Sequence, residues 1–156
     1  MPDIHYSVTI NRPISEVFRT AADFANADAW APDVVRGHQG EGSLRVGSIV
    51  TQTRRTFLLW WRLDLNADVI EYQPNKTIVM KGVIGRFPAT DRLTFQPSSG
   101  KTTVTEEISV RMGCLYAIYG PLLSMVLQRR TARALNSLKD HLESKNTGTA
   151  APTDFH

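Results

Sequence analysis

The chain has 156 residues, enough for one domain with a real core and some space left for a pocket. Hydrophobic residues make up 42% and charged residues 21%, a balance that excludes both a disordered chain and a membrane-spanning bundle. The net charge of +3 is mild, and apart from Arg54-Arg55 and the group Arg129, Arg130 and Arg133 the basic residues are scattered, so no nucleic-acid partner is expected.

The first segment alternates. Ile4, Tyr6, Val8 and Ile10 share one side and His5, Ser7 and Thr9 the other, which predicts a half-buried strand. Asn11-Arg12-Pro13 ends it. Pro13 suits the first turn of a short helix continued by Ser15-Glu16-Val17-Phe18. A second short helical piece is expected from Asp23, stopping before Trp30-Ala31-Pro32 because a residue ahead of proline avoids helical geometry. The texture then becomes β. Strands are expected over Val34 to His38, Ser48 to Phe57, Trp61 to Tyr72, Thr77 to Ile84, Ala89 to Gln96 and Thr102 to Met112. Trp61, Leu63, Leu65, Ala67 and Val69 alternate with polar residues in the sharpest period-two run of the chain. Gln73-Pro74-Asn75-Lys76 and Pro97-Ser98-Ser99-Gly100 have turn chemistry.

From about Tyr116 to Ser144 the period changes to a helical one. Leu123, Leu127, Ala134, Leu135, Leu138 and Leu142 recur at three- and four-residue steps, and Gly120-Pro121 marks a place for a kink. The stretch from Lys145 to His156 is small, polar and Pro-containing, so we expect one domain over 1–144 and a flexible tail over 145–156. Hairpin-linked strands make an antiparallel sheet whose apolar face needs a cover, and the C-terminal helix is the only element long enough to provide it. The predicted class is α+β: a curved antiparallel sheet of six to seven strands wrapped around a long C-terminal helix, with two short helices after the first strand.

Several fragments in this order resemble a known family. Ile10-Asn11-Arg12-Pro13-Ile14-Ser15-Glu16-Val17-Phe18, then Ala22-Asp23-Phe24, Asn26 and Trp30-Ala31-Pro32-Asp33-Val34, is similar to the opening of the START-like SRPBCC superfamily. Leu93-Thr94-Phe95-Gln96-Pro97 with Gly100-Lys101-Thr102-Thr103-Val104-Thr105 resembles its final hairpin, and Val69-Ile70-Glu71-Tyr72-Gln73-Pro74-Asn75 one of its strand ends. The resemblance covers about residues 4 to 143 and leans to the polyketide cyclase/dehydrase branch. It implies the helix-grip fold and an apolar cavity between helix and sheet. It transfers no catalytic set, since that superfamily hosts carriers, receptors and enzymes on one scaffold. The two-His-and-carboxylate iron site of its Rieske oxygenase relatives has no counterpart here.

The residues themselves offer two carboxylates as candidate chemistry. Glu106 shares parity with Val104, Ile108 and Val110, and Asp91 with Leu93 and Phe95. Facing into a cavity, either would have a raised pKa and act as general acid or base. The alternative is a structural ion pair with Arg92, Arg111 or a helix arginine, or a bulge that turns the side chain outward. The expected cavity wall comprises Tyr6, Trp30, Trp61, Leu63, Leu65, Met80, Leu93, Phe95, Ile108, Tyr116, Tyr119, Leu123 and Leu127. Trp30 serves equally as a pocket entrance or as a core anchor. Phe57, Leu58, Leu59 and Trp60 sit with Trp61 where two strands should turn, yet carry no turn residue. They suit a lid over the cavity mouth or, beside Arg54, Arg55 and Arg62, a tip that docks on an anionic membrane or a partner.

No metal or cofactor is expected. His5, His38, His141 and His156 do not converge in sequence, and the glycines form neither a P-loop nor a dinucleotide fingerprint. Cys114 is the one cysteine, which excludes an intrachain disulfide and fits a reducing cytoplasm. The first residues lack the basic and apolar segments of a signal peptide, and the apolar run from Phe57 to Trp61 is too short to span a bilayer. A cytoplasmic location is therefore expected. The partner expected is a small hydrophobic or aromatic molecule, with self-association into a homodimer left open. The leading function is binding of that molecule; the alternatives are a cyclase/dehydratase using Glu106 or Asp91, and a membrane or partner module using the aromatic tip.

Overall fold

The computed structural model describes residues 3–40, 42–55, 62–84 and 86–149. Strand β1 (Asp3–Ile10) buries Ile4, Val8 and Ile10 on one face, as its alternation requires. Pro13 then enters helix α1 (Ile14–Ala21) with φ of −64°, and Val17, Phe18 and Ala21 form its buried face. The second short helical piece (Phe24–Ala29) is a 3-10 helix rather than an α-helix. Asn26 leaves helical geometry at φ −110° and ψ 20°, so the piece never completes a regular α-turn run.

Six strands follow: β2 (Val34–His38), β3 (Ile49–Arg55), β4 (Arg62–Gln73), β5 (Thr77–Ile84), β6 (Phe87–Ser98) and β7 (Lys101–Val110). They join β1 in one seven-stranded sheet in the order β1-β7-β6-β5-β4-β3-β2, antiparallel at every pairing. β1 and β2 are consecutive in the chain yet form opposite edges of the sheet. The α1 and 3-10 segment between them therefore carries the chain from one edge to the other. Strands β6 and β7 pair from Ala89↔Val110 to Ser98↔Lys101 without a break, which makes this hairpin the longest regular ladder. The alternation of β4 is interrupted after Val69 by a bulge, where Val69↔Met80 is followed by Glu71↔Val79. Ile70 is thereby left exposed, and Tyr72 returns to the core.

Two glycines mark close backbone approaches. A Cβ on Gly82 would collide with the Asn66 carbonyl oxygen, so β4 and β5 approach closely only because no side chain stands there. On Gly37 it would collide with the Phe24 carbonyl oxygen, where β2 packs on the 3-10 helix.

A 3-10 turn (Gly113–Leu115) leads into helix α2 (Tyr116–Thr149). The helix extends to Thr149, and Pro121 lies within its first turns. Leu127, Thr131, Ala134, Leu135, Leu138 and Leu142 make its buried face. Leu135, Leu138 and Leu142 enter one core with Phe18, Ile78, Phe95 and Val104. Phe18 stacks edge-on against Phe95 with ring centres 5.0 Å apart and lies tilted on Tyr72 at 5.6 Å.

Polar contacts fix the far end of α2 to the β1–α1 corner. The Asn11 backbone N–H donates to Glu143 Oε1 at 3.0 Å, Arg12 Nε donates to the Leu142 carbonyl at 3.0 Å, and Thr102 Oγ1 donates to the Arg12 carbonyl at 2.8 Å. Among the described residues, no helix is long and apolar enough to cross a membrane.

Candidate functional site

Between sheet and helix lies a cavity of about 110 Å³. Three elements bound it. The inward positions of β3 to β7 give the wall, including Val50, Leu65, Met80, Leu93, Val104 and Ile108. Ala134, Leu135 and Leu138 of α2 give the opposite side. Phe24, Ala27, Trp30 and Ala31, from the 3-10 segment, close one end. Apolar side chains dominate this surface, as expected of a small-molecule pocket.

One end of the cavity is polar, and strand register explains why. Glu106 of β7 pairs with Leu93 of β6, and Asp91 of β6 pairs with Ile108 of β7, so the two carboxyls are diagonal neighbours on one sheet face. Both line the cavity. Glu106 is only 7% exposed. The two carboxyls are close enough for each to act on the other electrostatically. Burial pushes the Asp91 pKa well above the ordinary carboxyl range, the adjacent Glu106 charge pushes it further, and nearby Arg130 and Arg54 pull it partly back. Burial therefore favours the uncharged form of the Asp91 carboxyl.

Two arginines complete the polar end. Arg54 lines the cavity from β3 on the same parity as Val50 and Gln52. Its Nη1 donates to Asp33 Oδ2 at 2.8 Å, and its Nε and Nη2 both donate to Gln52 Oε1. Burial and the neighbouring Arg130 push the Arg54 pKa down, while Asp33 and Glu106 oppose that. Arg130 reaches in from α2, with its Nε 3.7 Å from Asp33 Oδ2, close enough for charge attraction and too far for a hydrogen bond. Arg130 Nε and Asp91 Oδ1 are buried atoms with no hydrogen-bond partner among the described residues.

Of the residues singled out from sequence, Asp91, Glu106, Trp30, Leu65, Met80, Leu93 and Ile108 line this cavity. Phe95 lies in the core against Phe18 instead. Tyr6 sits beside Glu106 in register, packed at the edge of the core, and its hydroxyl accepts from Asn136 Nδ2 at 3.0 Å. Leu127 is buried in a second cluster with Ile4, Ile108 and Val110, and Leu123 packs against that cluster; neither lines the cavity. Tyr116 and Tyr119 are exposed at the start of α2, away from the cavity. The buried face of the helix reaches back through Leu127 to Gly120, and these tyrosines lie beyond or beside it. Leu63 lies in β4 opposite Arg54. Phe57, Leu58, Leu59, Trp60 and Trp61 lie outside the described residues.

Arg54, Arg130, Gln52 and Asp33 were not among the residues singled out for the site. Arg130 stands three residues after Leu127 and four before Ala134, which is the buried-face spacing of α2, and that was the available signal. Among the described residues, no group of His, Cys, Asp and Glu could hold a metal ion.

A family model described as "Polyketide cyclase / dehydrase and lipid transport" matches residues 1–143. The chain belongs to this family. Solved structures similar to this polyketide cyclase/dehydrase and lipid transport family member agree in fold. A protein from Thermus thermophilus superposes with a TM-score of 0.76 at 13% identity, over 92% of this chain and 99% of that one. The di-domain ARO/CYC StfQ from the steffimycin biosynthetic pathway superposes with a TM-score of 0.78 at 13% identity, over 94% of this chain and 52% of that one. A protein from Mesorhizobium loti gives 0.70 at 15% identity, over 91% and 97%. No curated protein matches the sequence. The helix-grip architecture and the superfamily resemblance read from the sequence agree with these findings.

Proposed function

We propose that this protein binds a small hydrophobic or aromatic molecule in the cavity between sheet and α2. The observation that carries the reading is an apolar chamber with a single polar end. Burial of an apolar ligand surface supplies affinity at roughly 25 cal/mol per Å² before the costs of association are subtracted. The carboxyl and guanidinium groups orient the ligand. The family's description, covering polyketide cyclisation, dehydration and lipid transport, supports this class of ligand. A cytoplasmic location fits the exposed free thiol of Cys114, which favours a reducing compartment.

A second reading has its own support in the carboxyl pair. Burial raises the Asp91 pKa beside Glu106, so two carboxyls suited to acid-base work stand together in an apolar cavity. That arrangement suits cyclisation or dehydration, in which a proton leaves a carbon next to a carbonyl and another is delivered to a departing oxygen. Glu106→Gln separates the readings when ligand affinity and turnover of an aromatic polyketide-like substrate are measured together. Binding without turnover in wild type and variant supports the carrier. Loss of a wild-type turnover with affinity retained overturns it in favour of the enzyme. The ligand itself is found by native mass spectrometry of the purified protein, followed by extraction of what it retains.

A further inference from the structure

We propose that the polar end of the cavity is a subsite for an uncharged hydroxyl group on an apolar body (an enol, phenol or alcohol), which donates to Asp91 Oδ1 and accepts from Arg130 Nε. This rests on the cavity-binding reading above and narrows it to one class of head group.

Three observations converge on that class. First, Asp91 Oδ1 and Arg130 Nε belong to residues that line the cavity, and both are buried without a partner among the described residues. The carboxyl oxygen can accept and the arginine Nε–H donates. Arg130 is close enough to act on Asp91 as a neighbouring positive charge. Polar atoms buried in this way require a partner that the protein does not provide.

Second, the charges of the cluster already balance. Arg54 and Arg130 face the Asp33 carboxylate and the carboxyl of Glu106, while burial favours the uncharged form of Asp91. A neutral head group leaves that balance intact. A carboxylate or phosphate would add a negative charge next to Glu106 in an apolar surround, where an unpaired charge is strongly disfavoured.

Third, a hydroxyl reproduces what a water molecule at this place would offer: a hydrogen to donate and lone pairs to accept with. A ligand that displaces water while meeting both of its bonds gains affinity, whereas a methyl group in the same place leaves both atoms orphaned. The subsite therefore selects against both the anion and the hydrocarbon.

Calorimetric titration of the full chain near neutral pH with naphthol, naphthoate and methylnaphthalene, all substituted at the same ring position, tests this. Naphthol is expected to bind about tenfold more tightly than methylnaphthalene, the scale of one good hydrogen bond, and naphthoate more weakly than naphthol. Asp91→Leu is expected to abolish the preference for naphthol while methylnaphthalene still binds. Because the wild-type series alone ranks the probes, the test stands even where the variant folds poorly. Tightest binding of naphthoate overturns the proposal. Equal affinity for naphthol and methylnaphthalene overturns the hydroxyl subsite and leaves the apolar cavity standing. Failure of all three to bind overturns both.

Discussion

Asp91 has an energetic consequence beyond its place in the cavity wall. Its folded-state pKa is raised, first by burial and then by Glu106, so the folded chain holds a proton that the unfolded chain releases above the ordinary carboxyl value of about 3.9. As pH rises from that value through the folded pKa, the folded state binds more protons than the unfolded one, and stability falls across this window. Asp91→Asn keeps a hydrogen-bond donor toward Glu106 and removes the titration. The variant is expected to match wild type in acid and to exceed it by about 1 kcal/mol or more at mildly alkaline pH, read from urea unfolding at several pH values. A variant less stable than wild type at every pH would refute the buried carboxyl pair. The shared parity of Asp91 and Glu106 with apolar neighbours was legible in the sequence, whereas their direction was left open there, because only the unbroken β6–β7 ladder excludes a bulge between them. Arg54 and Arg130 were not, because a long side chain with a charged end reads as surface until the fold shows which way it points.

At the level of elements, the strands, α1 and the long helix follow from period and turn residues alone. What the pattern missed depends on tertiary contact. The β4 bulge at Val69/Glu71 reverses parity within a sequence that alternates well on both sides. The 3-10 geometry of Phe24–Ala29 reflects how that segment packs on β2, where Gly37 meets the Phe24 carbonyl. Gly37→Ala is accordingly expected to destabilise the protein by about 2 kcal/mol, since the nearest atom is backbone and cannot rotate away. Denaturant unfolding measures this, and a loss under ~0.5 kcal/mol would mean that β2 and the 3-10 helix separate freely. Trp30 and Ala31 of the cavity end lie in the same stretch, so the variant should also weaken ligand binding.

For the molecule as a whole, element order sufficed for the architecture. Two short helices, a run of hairpins and one long amphipathic helix leave one economical arrangement, with the helix over the sheet. The existence of the cavity was legible only through the resemblance, because no periodicity reports how far a helix stands from the sheet it covers. The polar end was half legible. Its carboxyls announced themselves as charges at apolar positions, whereas its arginines come from β3 and α2, far apart in sequence and joined only through Asp33.

The hollow between sheet and helix also sets how the protein responds to compression. A folded state that encloses space occupies more volume than its hydrated unfolded chain, by an amount that scales with the voids lost on unfolding. The empty protein should therefore unfold at moderate hydrostatic pressure, starting around the cavity. A ligand that fills the hollow should shift the midpoint upward by more than its affinity alone accounts for. Tryptophan fluorescence recorded under pressure, with and without a bound naphthol, measures the unfolding volume directly. An unchanged volume between the two would mean that the hollow is already closed in solution.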